Sequence, residues 1–163
     1  MQDLPAIEQA SQDASITSVT SVPSPYTLDE GRAFIEPSSS VSGNASRTGA
    51  GYRSASLMRI DTALGFIGLR LENRASGRAS FGYWVVPAAR GRDVATAAAR
   101  LVSPWAFATL GVARLEIVVD PSNMASVRVA EQAGFRREGL LRAYEEYKGQ
   151  RLDIVMHARI IGD

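Results

Sequence analysis

The 163-residue chain contains no cysteine, one lysine (Lys148) and one histidine (His157). Without cysteine there are no disulfides, thiolate zinc sites or cysteine nucleophiles. A lone histidine leaves no His/Asp/Glu cluster with metal-ligand spacing, so no metal is expected. No Gly-x-Ser-x-Gly elbow supports a serine hydrolase. Charge of one sign is also lacking: 18 basic and 17 acidic residues give a net charge of +1, which makes no electrostatic case for nucleic acid or an anionic membrane. No run approaches the length of a membrane span. The first residues, with Asp3 and Glu8, lack the cationic start and apolar run of a signal peptide. A cytoplasmic, soluble protein is the expectation, so the Asn44-Ala45-Ser46 sequon carries no meaning.

An apolar fraction of 45% and a charged fraction of 21% are ordinary for a globular protein, and the length suits one domain over residues 1–163. Residues 1–13 can form a short helix through Leu4, Ile7 and Ala10. Thr27 caps a second, with Glu30 completing a capping box, running to Ile35 before Pro37. Residues 37–50 form a flexible polar loop. Gly51–Ile60, Ala63–Leu71 and Ala79–Val86 read as an antiparallel meander. A helix follows from Asp93 to Leu110, with an apolar stripe of Val94, Ala98, Leu101, Trp105 and Ala108. Pro104 should kink or restart it, with Ser103 as the cap. Arg114–Asp120 is a strand, Ser122–Ala133 a helix ended by Gly134, and Gly139–Tyr147 with Arg151–Ile161 a hairpin. The order predicts a mixed α/β sheet; a dinucleotide-binding module is disfavoured by the lack of parallel βαβ units and of a Gly-x-Gly-x-x-Gly fingerprint.

The most informative stretch is Val85-Val86-Pro87 followed by Arg90-Gly91-Arg92-Asp93-Val94-Ala95-Thr96. A strand, a turn with free amides and a helix N-terminus together make a phosphate site. This segment resembles the acyl-CoA turn of the GNAT acetyltransferase superfamily, Q/R-x-x-G-x-G/A. Trp105-Ala106-Phe107, Arg114-Leu115-Glu116-Ile117, Pro121-Ser122-Asn123 through Glu131, Gly134-Phe135 and Glu138-Gly139 are similar to its ribosomal-protein-alanine N-acetyltransferase branch, as is Ser24-Pro25-Tyr26-Thr27. The likeness covers residues from about Pro23 onward. It implies the GNAT fold, a mostly antiparallel twisted sheet with one splayed parallel strand pair. Two departures stand out: the family's first edge strand is missing, and Asp93 takes the place of a glycine.

The resemblance implies acetyl-CoA as co-substrate and a primary amine as acceptor, either a protein N-terminus or a small molecule. It also implies direct attack on the thioester without a covalent enzyme intermediate, by a monomer or homodimer. Backbone groups of Val85 and Val86 would bond the pantetheine arm, with an amide near Val86 polarising the thioester carbonyl; the structural alternative is plain core packing. Arg90, Gly91 and Arg92, with the amides through Val94, Ala95 and Thr96, would wrap the pyrophosphate. Otherwise they are a solvated basic turn.

Asp93 admits three readings. Its carboxylate could repel phosphate, by on the order of 1 kcal/mol at 4 Å in water. It could cap the helix, or it could pair with Arg90 or Arg92. Asn123 would contact the CoA arm and Ser126 would protonate the leaving thiolate; capping by Ser122 or Asn123 is the alternative. Ala130 stands where many GNAT enzymes carry tyrosine. Of Glu145 and Glu146 only one can face the cleft, and the resemblance points to Glu145 as general base through water. Asp153 and His157 are expected to be structural. A weakened or inactive CoA-binding module is the competing reading.

Overall fold

The computed structural model describes residues 4–17, 27, 29, 52–59, 62–73, 75–147 and 149–163. The loop expected at 37–50 lies outside the described residues, as does the helix expected from Thr27 to Ile35 apart from Thr27 and Asp29. The chain divides into two compact units. Residues 1–72 and 82–95 form the first, and residues 73–81 and 96–163 the second.

In the first unit, helices α1 (Leu4–Ser11) and α2 (Ala14–Thr17) precede strands β1 (Tyr52–Arg59) and β2 (Thr62–Asn73). The two strands pair antiparallel, from Tyr52 opposite Arg70 to Arg59 opposite Thr62, with an irregularity at Leu57/Met58. Strand β3 (Arg78–Val85) contributes its second half to this unit, and the Val86 N–H donates to the Leu64 carbonyl at 2.9 Å. Ala10, Ile16, Trp84, Val86 and Ala89 form its buried core, with Leu64, Phe66, Val85 and Val94 packed around them. The Phe66 and Trp84 rings stack at 6.2 Å. A methyl group at Gly65 would stand 2.3 Å from the Trp84 carbonyl oxygen, so only glycine lets the backbones approach this closely.

The second unit is built on the strand order β3-β4-β6-β5, with β4 at Arg114–Val119, β5 at Arg136–Tyr147 and β6 at Gln150–Ile160. Arg78, Ala79 and Ser80 of β3 run parallel to Arg114, Leu115 and Glu116 of β4, while β4–β6 and β5–β6 are antiparallel. This is the mixed α/β fold expected, with its parallel strand pair. The interior holds Leu115, Ile117 and Val119 of β4 and Ile154 through Ala158 of β6. Phe81 and Phe135 meet edge to face at 5.4 Å.

Helix α3 (Val94–Leu110) carries Pro104 within one continuous helix, and the expected restart does not occur. Ser103 is fully buried, and its hydroxyl donates to the Ala99 carbonyl at 2.7 Å rather than capping a new helix. The stripe is also displaced. Leu101 is 73% and Trp105 45% exposed, whereas Ala95, Thr96, Ala98, Ala99, Ser103 and Ala106 are buried. Small side chains, not the large ones, form the packed face.

Helix α4 (Met124–Gln132) ends at Gly134, whose φ of 85° suits glycine. There the Gly134 N–H bonds the Glu131 carbonyl and the Phe135 N–H that of Ala130, a Schellman stop.

Candidate active site

After β3, Pro87–Ala89 make one 3₁₀ turn, with the Ala89 N–H donating to the Val86 carbonyl and the Arg90 N–H to the Pro87 carbonyl. Proline suits this place because its φ is preset and its missing N–H costs nothing at a helical start. Gly91 then has φ 70° and Asp93 φ 56°, and α3 begins at Val94. The N–H groups of Gly91, Arg92 and Asp93 make no hydrogen bond among the described residues. Those of Val94 and Ala95 belong to the first helical turn, which has no intrahelical partners. Consecutive unbonded N–H groups running into a helix N-terminus favour an anion.

The aspartate explains the family glycine. Left-handed backbone is costly for most residues, and Asp or Asn tolerates it best after glycine. Asp93 is exposed, and no hydrogen bond or ion pair reaches its carboxylate among the described residues. It neither caps α3 nor pairs with an arginine, and both of those expectations are corrected. Arg90 is engaged elsewhere: its Nη2 donates to the Asp13 carboxylate at 2.6 Å and its Nε to the Val85 carbonyl at 3.1 Å. Arg92 is exposed, with no partner among the described residues.

Val86 is buried, and its N–H is held by Leu64. Because adjacent backbone groups in a strand point to opposite edges, Val85 addresses the other edge, where its carbonyl meets Arg90. Val94 is half-buried and Ala95 buried. Thr96 is buried, and its hydroxyl lies 3.4 Å from Gln132 Oε1.

In the second unit, Asn123 caps α4: its Oδ1 accepts the Ser126 N–H at 3.0 Å. The capping alternative thus describes the Asn123 oxygen, while the Ser126 hydroxyl has no bond among the described residues and its side chain is half-buried. Ser122 is turned to Asp120, donating through both N–H and hydroxyl to Oδ1. Ala130 is fully buried.

The two glutamates differ. Glu146 is exposed and pairs with Arg151 at 3.2 Å. Glu145 is half-buried and its carboxylate makes no ion pair or hydrogen bond among the described residues, so nothing joins it to Ser126 directly. Asp153 accepts the Ala143 N–H at 2.8 Å. His157 is fully buried, with neither ring nitrogen bonded among the described residues, and burial pushes its pKa below the usual histidine value.

A charged cluster escaped the sequence. Buried Glu116 receives Arg78 through Nε at 3.1 Å and Nη2 at 2.8 Å, and Arg114 Nε at 2.6 Å. Arg114 also grips Glu138 with both terminal nitrogens. Burial pushes the Glu116 carboxyl up, but the Arg78 and Arg114 hydrogen bonds outweigh it and hold the group below the usual carboxylate range. Arg78 and Glu116 are 38 residues apart, a pairing no local pattern announces.

The sequence matches the family described as "Acetyltransferase (GNAT) domain" over residues 1–136. The chain belongs to the GNAT acetyltransferase family. It is 28% identical over 159 residues to p20 of Bacillus licheniformis, an uncharacterised N-acetyltransferase, covering 96% of this chain and 86% of that protein. It is 30% identical over 104 residues to YdaF, a putative ribosomal N-acetyltransferase of Bacillus subtilis, covering 64% of this chain and 57% of YdaF. The structure of Mycobacterium smegmatis RimJ in complex with CoA-disulfide superposes with a TM-score of 0.57 at 32% identity, over 61% of this chain and 48% of RimJ. Fold and relatives together support acetyl-CoA-dependent N-acetylation. No helix among the described residues is long and apolar enough to cross a membrane.

Proposed function

We propose that the chain, as one acetyltransferase domain, transfers the acetyl group of acetyl-CoA to a primary amine on a protein N-terminus or a small molecule. The observation that carries this reading is the Gly91–Asp93 turn, whose N–H groups, unbonded among the described residues, lead into the start of α3, with the Arg92 side chain likewise unpaired among them. Such a turn fits a pyrophosphate. Acetyl-CoA supplies the activated thioester.

Of the chain's own residues, Gly91 through Thr96 bind the phosphates with Arg92, while the pantetheine arm is left to the Val85 N–H, because both backbone groups of Val86 are bonded, to Leu64 and Ala89, and Arg90 covers the Val85 carbonyl. Asn123 keeps its amide nitrogen for that arm while its oxygen caps α4. Ser126 gives a proton to the departing thiolate. Glu145, free of the ion pair that holds Glu146, takes the proton of the incoming ammonium through water. Catalysis then rests on positioning and aimed donors rather than on an enzyme nucleophile. A cytoplasmic location is part of the reading. Either a monomer or a homodimer is compatible with it.

Calorimetric titration of acetyl-CoA beside acetyl-pantetheine, which lacks the pyrophosphate, tests the turn. Acetyl-CoA binding at least about tenfold tighter is expected, since each charge-assisted hydrogen bond contributes roughly 1.5–3 kcal/mol; equal affinities contradict the assignment. A second reading, a weakened CoA-binding module, draws on two observations. Arg90 is held by Asp13 and Val85, and a carboxylate unpaired among the described residues stands at Asp93.

A further inference from the structure

The two strands of the C-terminal hairpin are not matched residue for residue. Leu141 lies opposite Ile154 and Glu145 opposite Leu152, so Arg142, Ala143 and Tyr144 face the single residue Asp153. At the middle of this bulge Ala143 sits at φ 49°. Alanine has no polar side chain to stabilise that conformation, so it must be imposed from outside. Asp153 supplies the hold: its Oδ1 accepts the Ala143 N–H at 2.8 Å.

The size of the bulge decides where the glutamates point. Side chains of directly paired residues share a face, and the period of a strand is two. Two extra residues restore the alternation, so Glu145 lies on the face of Leu141, Leu152 and Ile154, and Glu146 on the opposite face with Arg151. A bulge shorter or longer by one residue would exchange them.

We propose that Asp153 is a positioning residue which, by accepting the Ala143 N–H, holds the bulge that turns Glu145 rather than Glu146 toward the acceptor amine. This rests on the reading of Glu145 as general base. Asp153 touches neither substrate; it acts through the backbone of β5.

The test uses the full chain with four variants: Asp153→Ala, Asp153→Asn, the double variant Asp153→Ala/Ala143→Gly, and Glu145→Gln. Three readouts apply. They are kcat and KM across pH with the best acceptor among alanine-ended peptides, serine-ended peptides and spermidine; acetyl-CoA affinity by calorimetry; and hydrogen exchange at the Ala143 amide. Asp153→Ala should lower kcat by about 10- to 100-fold, the cost of misplacing a group by an ångström, with acetyl-CoA affinity unchanged and Ala143 protection lost. Asp153→Asn keeps the accepting oxygen and should stay within about threefold of wild type. The double variant should recover most of kcat, because glycine adopts the conformation unaided, and it keeps the proposal decidable if Asp153→Ala does not fold.

Wild-type kcat in Asp153→Ala beside an impaired Glu145→Gln overturns the positioning role. So does Asp153→Asn failing as badly as Asp153→Ala, or a double variant without recovery. Undiminished kcat in Glu145→Gln instead removes the base reading and the functional part of the proposal with it. Ala143 exchange, which needs no acceptor, then decides whether Asp153 holds the bulge.

Discussion

Arg90 and Asp13, 77 residues apart in the chain, are joined by a hydrogen-bonded ion pair at 2.6 Å. The contact places the first arginine of the turn after β3 on the carboxylate between α1 and α2, and the same guanidinium covers the Val85 carbonyl at 3.1 Å. Two groups that the family resemblance assigns to the cofactor thus satisfy each other. Asp13→Asn removes the charge that holds Arg90 while keeping an accepting oxygen. The pair is partly exposed, so the gain is modest: acetyl-CoA should bind about two- to fivefold tighter, corresponding to less than about 1 kcal/mol. Calorimetry measures it, and unchanged or weaker binding removes the competition.

Asp93→Gly should tighten acetyl-CoA binding by roughly tenfold, since it removes both a carboxylate near the phosphates and a non-glycine residue at positive φ. Asp93→Asn separates the two effects, because asparagine tolerates the same backbone without charge. It should give most of the gain if repulsion dominates and little if backbone strain dominates. Equal affinities for all three proteins would mean that the carboxylate turns away from the phosphates.

Glu116 ties β3 to β4 through Arg78 and Arg114. Glu116→Gln should cost about 1.5–3 kcal/mol at neutral pH, the range for hydrogen bonds to charged groups. Its folded-state pKa is lowered, so its stabilisation is present above the usual carboxylate range and is lost as pH falls through and below it. Urea unfolding from pH 7 to 3 should show wild type and variant converging; a constant difference contradicts the ion-pair account.

His157 is buried without a partner for either ring nitrogen among the described residues. Its pKa is depressed by burial, so the unfolded chain takes up the proton first. Stability is therefore full above about pH 6.5, the unfolded value, and declines below it until the folded ring itself protonates. His157→Leu should flatten that slope between pH 6.5 and 5 in urea titrations. A slope equal to wild type assigns the acid sensitivity elsewhere.

Most elements were legible because strands and turns here are punctuated locally. The bounds of β1 to β4 and of β6, and the end of β5, follow to within two residues from alternation and from Pro121 and Gly149, but β5 begins at Arg136, three residues before the expected Gly139. The buried face of α3 was not legible: apolar periodicity favours Leu101 and Trp105, but close packing selects Ala98, Ala99, Ser103 and Ala106. Nor was the role of Ser103, whose hydroxyl satisfies a carbonyl within its own helix. At the site, the family glycine flagged Asp93, and the left-handed backbone supplies the reason. Asp13, Asp153 and the Glu116 cluster act through partners distant in sequence or across strands, and alanine at 143 carries no sign of the bulge it occupies.

Acetyl transfer from acetyl-CoA to an amine is tested most directly by acetyl-CoA-dependent thiol release. The amine panel comprises alanine- and serine-ended peptides and spermidine, with the products weighed by mass spectrometry. Thiol release should require the amine and be matched by one acetyl group gained per amine consumed. Tight acetyl-CoA binding with neither thiol release nor acetylated product from any of these amines would contradict it, and would leave the weakened CoA-binding module in its place.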